Sequence, residues 1–321
     1  MQSSISSRSS CIRPVDPTRD LYPIADLIET CFGHQMDEEG LNYVKHIRMA
    51  ASDSAYRYQL QGSNEFCTYP LHGYVWEADN HIVGNLTLLP YKRQDQWIYM
   101  IVNVAVHPDY RRKGIARNLT LRGLDHIRDH KVNSAWLQVR VDNPQALGLY
   151  HSIGFVEKTR RSTWVSGPIP DKPSIPEQVI INSRRTSDWE LQSSWLQAAY
   201  PQEVAWNLPF ILERFQPGFW NNLQRFLIGD RIQQWSARLE GNLVGTASRE
   251  PTRQFADTLW LAVSPQNADL AIRVLLPHIQ RERLYSTRKM LINYPTGFND
   301  EAFKNAGYTL QNILIWMEKL I

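Results

Sequence analysis

The chain is short of cysteine, of long apolar runs and of net charge. Its three cysteines, Cys11, Cys31 and Cys67, are odd in number and lack metal-ligand spacing. This argues against a disulfide frame and a metal site, and fits a reducing cytoplasm. No apolar run reaches the ~18 residues of a membrane span, so no membrane partner is expected. The opening "MQSSISSRSS" has no apolar stretch that could serve as a secretory signal, and residues 1–10 are expected to form a flexible tail. Net charge is +3, divided as +2 over residues 1–165 and +1 over residues 166–321. Nucleic-acid binders carry a stronger basic bias, so no nucleic-acid partner is expected.

With 321 residues, two cores are expected. The segment "SGPIPDKPSIPE", Ser166 to Glu177, holds four prolines and a glycine, and it reads as a linker between residues 11–165 and 178–321. The first part is mixed α and β. "DLYPIADLIETCF" has helical spacing, and Asp79-Asn80 marks the turn of a hairpin. "QWIYMIVNVAVHP" is a β-rich run. Ile115, Leu119, Gly123 and Ile127, widened by Leu124, form a helix stripe. "SAWLQVRV" reads as a strand, "NPQALGLYHSIGF" as a short helix capped at Gly154, and "STWV" as a final strand.

The second part repeats this order, with Gly84 answering Gly245, Val106 answering Val263 and Gly154 answering Gly307. This is a duplicated domain. "TSDWE" offers a capping box from Ser187 and Glu190. The tryptophans of this part (Trp189, Trp195, Trp206, Trp220, Trp235 and Trp260) read as core residues.

One stretch, "HPDYRRKGIARN", joins a strand to a helix N-terminus. Unpaired backbone N–H groups and a positive dipole make such an end receptive to anions. Gly114 and small Ala116 let an anion approach the backbone, and Arg111, Arg112, Lys113 and Arg117 add charge. Cations oppose the dipole here, which suits a site shared with an anion. The residues alone leave a solvated basic turn open as the other reading.

"VAVHPDYRRKGIARNL" resembles the acyl-CoA signature Arg/Gln-x-x-Gly-x-Gly/Ala of the Gcn5-related N-acetyltransferases (GNAT). Further on, Asn143, Tyr150, Gly154 and Phe155 resemble that family's second motif. The resemblance covers residues 11–165. It implies an α/β fold with a mixed sheet, here as two tandem GNAT-like domains, and transfer of an acetyl group from acetyl-CoA to a primary amine without a metal. The expected acceptor is a small-molecule or peptide amine, and the expected assembly is a monomer or homodimer. Backbone amides of Arg112, Lys113, Gly114, Ile115, Ala116 and Arg117 would cradle the CoA pyrophosphate, with Arg111 and Arg117 assisting by charge. Val104, Ala105 and Val106 would meet the pantetheine arm at a β-bulge in "VNVAV", and Asn143 would lie beside that arm. A backbone N–H at Val104 or Ala105 is the candidate oxyanion donor. Tyr150 is the candidate general acid for the leaving thiolate. Some relatives carry a glutamate base on the strand where this chain has Gln138. Deprotonation would then run through water, with Asn103 as one possible holder of that water. His107 reads as a surface residue. Asp37, Glu38 and Glu39 would either attract a cationic amine or form a solvated helix start.

In the second part, Ala268, Asp269, Leu270, Ala271 and Arg273 replace Arg111, Arg112, Lys113, Gly114 and Ala116, and Phe303 replaces Tyr150. A diphosphate would meet a carboxylate there and no glycine. This part is expected to keep the fold and lose the ligand. The alternative to an enzyme is a catalytically silent CoA-binding sensor or scaffold.

Overall fold

The structure, a computed structural model, describes residues 10–36, 38–57, 72–93, 96–169, 176–218, 232–252, 256–282 and 288–321, without the side chains of Gln35, Glu38 and Glu39. Two compact units are present. The first holds Met1–Lys158 with Trp316–Ile321, and the second holds Thr159–Ile315.

In chain order the first unit runs β1 (Ser10–Pro14), α1 (Leu21–Phe32), α2 (Glu38–Ser52), β2 (Gly73–Ala78), β3 (His81–Arg93), β4 (Gln96–Val106), α3 (Ile115–Asp129), β5 (Ser134–Arg140) and α4 (Pro144–Ile153). Strands β1 to β4 pair antiparallel with their neighbours, and β5 pairs parallel to β4. Asp79 and Asn80 both adopt positive φ, 50° and 63°, which the right-handed strand twist favours in a two-residue hairpin turn. Ile115, Leu119, Gly123, Leu124 and Ile127 are buried, as their spacing predicts, and Thr120 joins them. Gly84 is dictated by packing: a Cβ there would lie 2.8 Å from Ile115 Cγ2 and 3.0 Å from Trp76 Cβ. Helix α3 therefore crosses β3 where no side chain stands.

The second unit contains β6 (Val156–Ser166, from Thr159 on), β7 (Val179–Ser183), α5 (Trp189–Ala199), α6 (Gln202–Ala205), β8 (Gln233–Leu239), β9 (Asn242–Glu250), β10 (Ala256–Val263), α7 (Ala268–Glu282), β11 (Lys289–Pro295), α8 (Asp300–Asn305) and the start of β12 (Tyr308–Leu320). The repeat reaches fine detail. Gly245 leaves room for α7, since its Cβ would lie 2.8 Å from Ala271 Cβ. A register shift between Trp76 and Glu77 in the first unit recurs between Ala237 and Arg238 in the second.

The division between the units differs from the one read in the sequence. It falls at Lys158/Thr159, inside β6, and not in the proline-rich segment. Arg161 to Val165 pair with β11. The expected linker begins as an extension of that edge: Ser166 Oγ accepts from Met290 N (2.9 Å), and Gly167 N donates to Gly307 O (2.8 Å). Residues 170–175 lie outside the described set. In return, Trp316–Ile321 complete the first unit. Ile321 N donates to Asn133 O (3.0 Å), and Ser134 Oγ to Glu318 (2.7 Å). Proline content marks where a chain cannot continue a strand, but it says nothing of where an earlier strand pairs.

Three further readings change. Ser10 belongs to β1, opposite Ala78, and only residues 1–9 of the expected tail lie outside the described set. The Ser187/Glu190 capping box is not formed. Ser187 sits within a 3₁₀ turn whose closing acceptor is Asp188 Oδ2, 2.9 Å from Arg185 N. Asp188 is itself buried against Arg238, which makes it the better-held acceptor. Among the tryptophans, Trp235 and Trp260 are core residues, while the indole of Trp206 donates locally to Glu203 O. Trp220 lies outside the described set.

Candidate functional site

Strand β4 carries one residue more than β3 can pair. Asn85 faces Ala105, yet Thr87 faces Val102, so three steps on β4 answer two on β3. Asn103 takes a left-handed φ of 53° at this bulge. The parallel pairing of β4 with β5 covers Tyr99–Ile101 against Ala135–Leu137 and stops there. This register leaves Val104, Ala105 and Val106 beyond the β5 ladder, at the wall of a cleft of about 520 Å³.

The opposite side of the cleft is the loop into α3. Arg112 has φ 60° and Gly114 φ 79°. Left-handed residues in such a turn draw successive N–H groups into a concave nest suited to an anion. Gly114 can hold this conformation at no steric cost. The cleft is lined by Arg111, Arg112, Gly114, Ile115, Ala116 and Arg117 from this loop and helix, by Asn143 and Tyr150 from α4, and by the three β4 residues. All but one of the residues expected to contact the cofactor thus line one cavity. The exception is Lys113, whose ammonium stands 4.7 Å above the Tyr110 ring instead of facing the cleft.

Hydrogen bonds set the wall residues in place. Arg111 Nε and Cys31 Sγ both donate to Val106 O at 3.2 Å, which fixes the end of β4. Burial pushes the Cys31 thiol up, against the opposing pull of Arg111, so it stays protonated near neutrality. Arg117 Nη1 donates to Ser152 Oγ at 2.9 Å, linking α3 to α4. Asn143 caps α4: its Oδ1 accepts from Ala146 N at 3.1 Å, with Pro144 in the first turn. The Tyr150 hydroxyl is held well above the usual phenol range by burial, and its ring stands edge-on to Phe155, 5.9 Å between centroids. Desolvation disfavours phenolate, so Tyr150 keeps its proton at neutral pH.

Other candidates lie elsewhere. His107 caps a 3₁₀ turn, 3.4 Å from Asp109 N, and lines a separate polar cavity with Arg13 and His81. Asp37 and the side chains of Glu38 and Glu39 are outside the described set. Asn103 donates through Nδ2 to the Tyr43 hydroxyl (2.5 Å), a contact with α2 that no local sequence feature marks.

The second unit supplies an internal comparison. Its β9–β10 register runs without a shift from Thr258/Glu250 to Val263/Gly245. Leu261 is the counterpart of Val104, and its N–H is already taken by the buried Tyr200 hydroxyl at 3.3 Å. Tyr200 packs with Phe210, Phe215 and Trp260, centroids 5.0 to 6.4 Å apart. Arg161 lies 5.2 Å from the Tyr200 ring and donates to Ala199 O (2.6 Å) and Asn293 Oδ1 (2.7 Å). At the former cradle, Asp269 pairs with Arg273 (2.7 Å). Phe303 is fully buried and stacks on Trp164 at 4.9 Å. The space that is a cleft in the first unit is filled by side chains here.

A bulged strand splayed from its parallel neighbour, facing a glycine-bearing anion nest, is the arrangement of the GNAT class, and the sequence comparisons agree. Residues 36–155 match the family model of the Acetyltransferase (GNAT) family. The likeness to the GNAT family thus lies within the first unit. It is 41% identical over 64 residues to the [Ribosomal protein bS18]-alanine N-acetyltransferase of Escherichia coli (strain K12), a match covering 20% of this chain and 43% of that one. The match thus spans under half the length of this relative. Among solved structures, the GCN5-related N-acetyltransferase from Sphaerobacter thermophilus aligns with a TM-score of 0.58 at 16% identity, over 97% of this chain and 95% of that one. A tandem GNAT protein from the clavulanic acid biosynthesis pathway aligns at 0.51 and 15% identity, over 97% and 98%. These two likenesses establish the fold alone: mixed α/β, in tandem. Among the described residues, no helix is long and apolar enough to cross a membrane.

Proposed function

We propose that the protein is an acetyl-CoA-dependent N-acetyltransferase whose working site is the first unit's cleft. The observation that carries this reading is the convergence of the nest at Arg112–Arg117, the splayed strand at Val104–Val106 and Tyr150 on one cavity. The backbone amides from Arg112 to Arg117 hold the pyrophosphate, with Arg111 and Arg117 adding charge. Val104 and Val106 offer main-chain groups to the pantetheine arm, and Asn143 flanks it. The acceptor is a primary amine on a small molecule or a peptide, and the second unit binds no CoA. The reaction belongs in the cytoplasm.

The amine nitrogen, deprotonated through water, attacks the thioester carbonyl carbon and forms the C–N bond. The carbonyl electrons move to oxygen, where a backbone N–H at Val104 or Ala105 stabilises the charge. Collapse breaks the C–S bond. The thiolate takes the Tyr150 proton, which the proton lost by the amine replaces through solvent. A phenol kept neutral by burial suits the acid role and rules Tyr150 out as the base at neutral pH.

Thiol release from acetyl-CoA over a panel of amines, including peptides with an N-terminal alanine, tests the reading. Turnover with an acceptor supports it. Tight CoA binding without turnover across the panel favours the silent sensor, a reading motivated by Gln138 standing where some relatives carry a glutamate base.

A further inference from the structure

The bulge in β4 sets the cleft, and a bulge needs a holder. Its extra residue leaves Asn103 O without its regular place in the β3 ladder, and Asn103 itself takes a left-handed φ of 53°. The group that meets this carbonyl is a side chain. Asn85, on the facing strand and fully buried, donates Nδ2 to Asn103 O at 3.0 Å. The same nitrogen lies 3.4 Å from Oγ1 of Thr87, also fully buried. A carbonyl accepts only, so the amide must present its NH₂ here. A buried side-chain amide thus takes the place of a backbone donor.

The duplication provides the control. Gly84 aligns with Gly245, so Asn85 aligns with Thr246. Thr246 faces Ala262 in an unbroken ladder. The bulge between Trp76 and Glu77 persists in both units, while the bulge opposite Asn85 exists only where the asparagine does. Threonine's hydroxyl is shorter, and its methyl suits a regular pleat.

We propose that Asn85 is the positioning residue of the acyl-CoA site: its amide holds the Asn103 bulge and so sets the register of the main-chain groups at Val104–Val106. This rests on the acetyltransferase reading for its functional consequence but not for its structural one. Without the bulge, β4 slips by one residue from Val102 onward, and a one-residue slip turns each following side chain to the other face and its N–H and C=O to the other edge of the strand.

Two variants test it. Asn85→Thr copies the second unit, and its crystal structure reads the register directly. A continuous β3–β4 ladder supports the proposal; a retained bulge overturns it, whatever the protein's activity. Asn85→Asp keeps the size and makes the bond titratable. A protonated carboxyl donates to Asn103 O, whereas an ionised one repels it, and burial raises the pH of that change. CoA affinity of Asn85→Asp relative to wild type, by calorimetry, should fall about tenfold as pH rises through that transition. A ratio flat from pH 5 to 9 overturns the positioning role, since loss of packing alone does not titrate. Wild type that fails to bind CoA would sink the acetyltransferase reading, and the crystallographic register would then decide the proposal for Asn85.

Discussion

Replacing Gly114 by alanine isolates backbone conformation from bulk. The φ of 79° lies where an L-residue is disfavoured, yet an added Cβ would meet only Asn118 Nδ2, at 3.9 Å. The cost is therefore conformational, about 1–2 kcal/mol. If the free loop relaxes to avoid it, the cost appears when the nest must reform around the diphosphate, and CoA binds about 5- to 30-fold more weakly. If the loop is held without ligand, the same energy leaves folding stability instead. Calorimetry with CoA and urea unfolding, run on the same protein, capture both. The two losses together should equal the strain. Asparagine, which tolerates the left-handed region, should lose less. A Gly114→Ala protein with unchanged affinity and unchanged stability is the contrary outcome. It would mean that the nest at Arg112 and Gly114 is not the conformation that binds.

Other outcomes follow from the same geometry. Tyr150→Phe should lower kcat by about 10²- to 10⁴-fold while leaving the KM for acetyl-CoA within a few fold, read by thiol release. Asn143→Ala removes the α4 cap and should cost about 1 kcal/mol in urea unfolding. Removing Trp316–Ile321 strips the edge of β5 of buried Trp316 and Met317, and should unfold the first unit, although the cut is distant from it in sequence; loss of CoA binding with retained near-UV signal from the second unit is the expected readout. Burial holds the phenols of Tyr150, Tyr200 and Tyr294 above their free value. Raised folded-state values mean that their contribution is whole below about pH 10 and is lost as pH climbs above it. Ultraviolet titration should show phenolate from these residues only above that point, together with unfolding.

Much of the cleft was legible in the sequence because its chemistry is local. The spacing from Arg111 to Arg117 sets a loop and the first turn of a helix, and Gly114 marks the left-handed position by its identity. The stripe from Ile115 to Ile127 needs only a 3.6-residue period. Asn143, Pro144 and Gly154 bracket α4 with its own cap and stop. What was not legible depends on residues far apart in sequence. Lys113 turns to Tyr110 because a lysine's flexible stem finds the aromatic face. Asp188 displaced Ser187 as acceptor because Arg238, fifty residues away, holds it. The passage of β6 into the second unit leaves no local mark, since a strand's sequence pattern does not name its partner. Tyr200 is an ordinary helix-end tyrosine until it is seen to occupy the Leu261 N–H. Asn85, too, reads as one polar residue within an apolar strand until Asn103 O is placed opposite.

One unit of the duplicated fold is proposed to keep an acyl-CoA cleft, while its counterpart in the other is filled by side chains. Calorimetric titration of the full chain with CoA measures this most directly. One molecule should bind per chain, with binding abolished by Arg112→Glu with Gly114→Val and untouched by Asp269→Ala. Two molecules per chain, none, or one that survives the first pair of changes would contradict it.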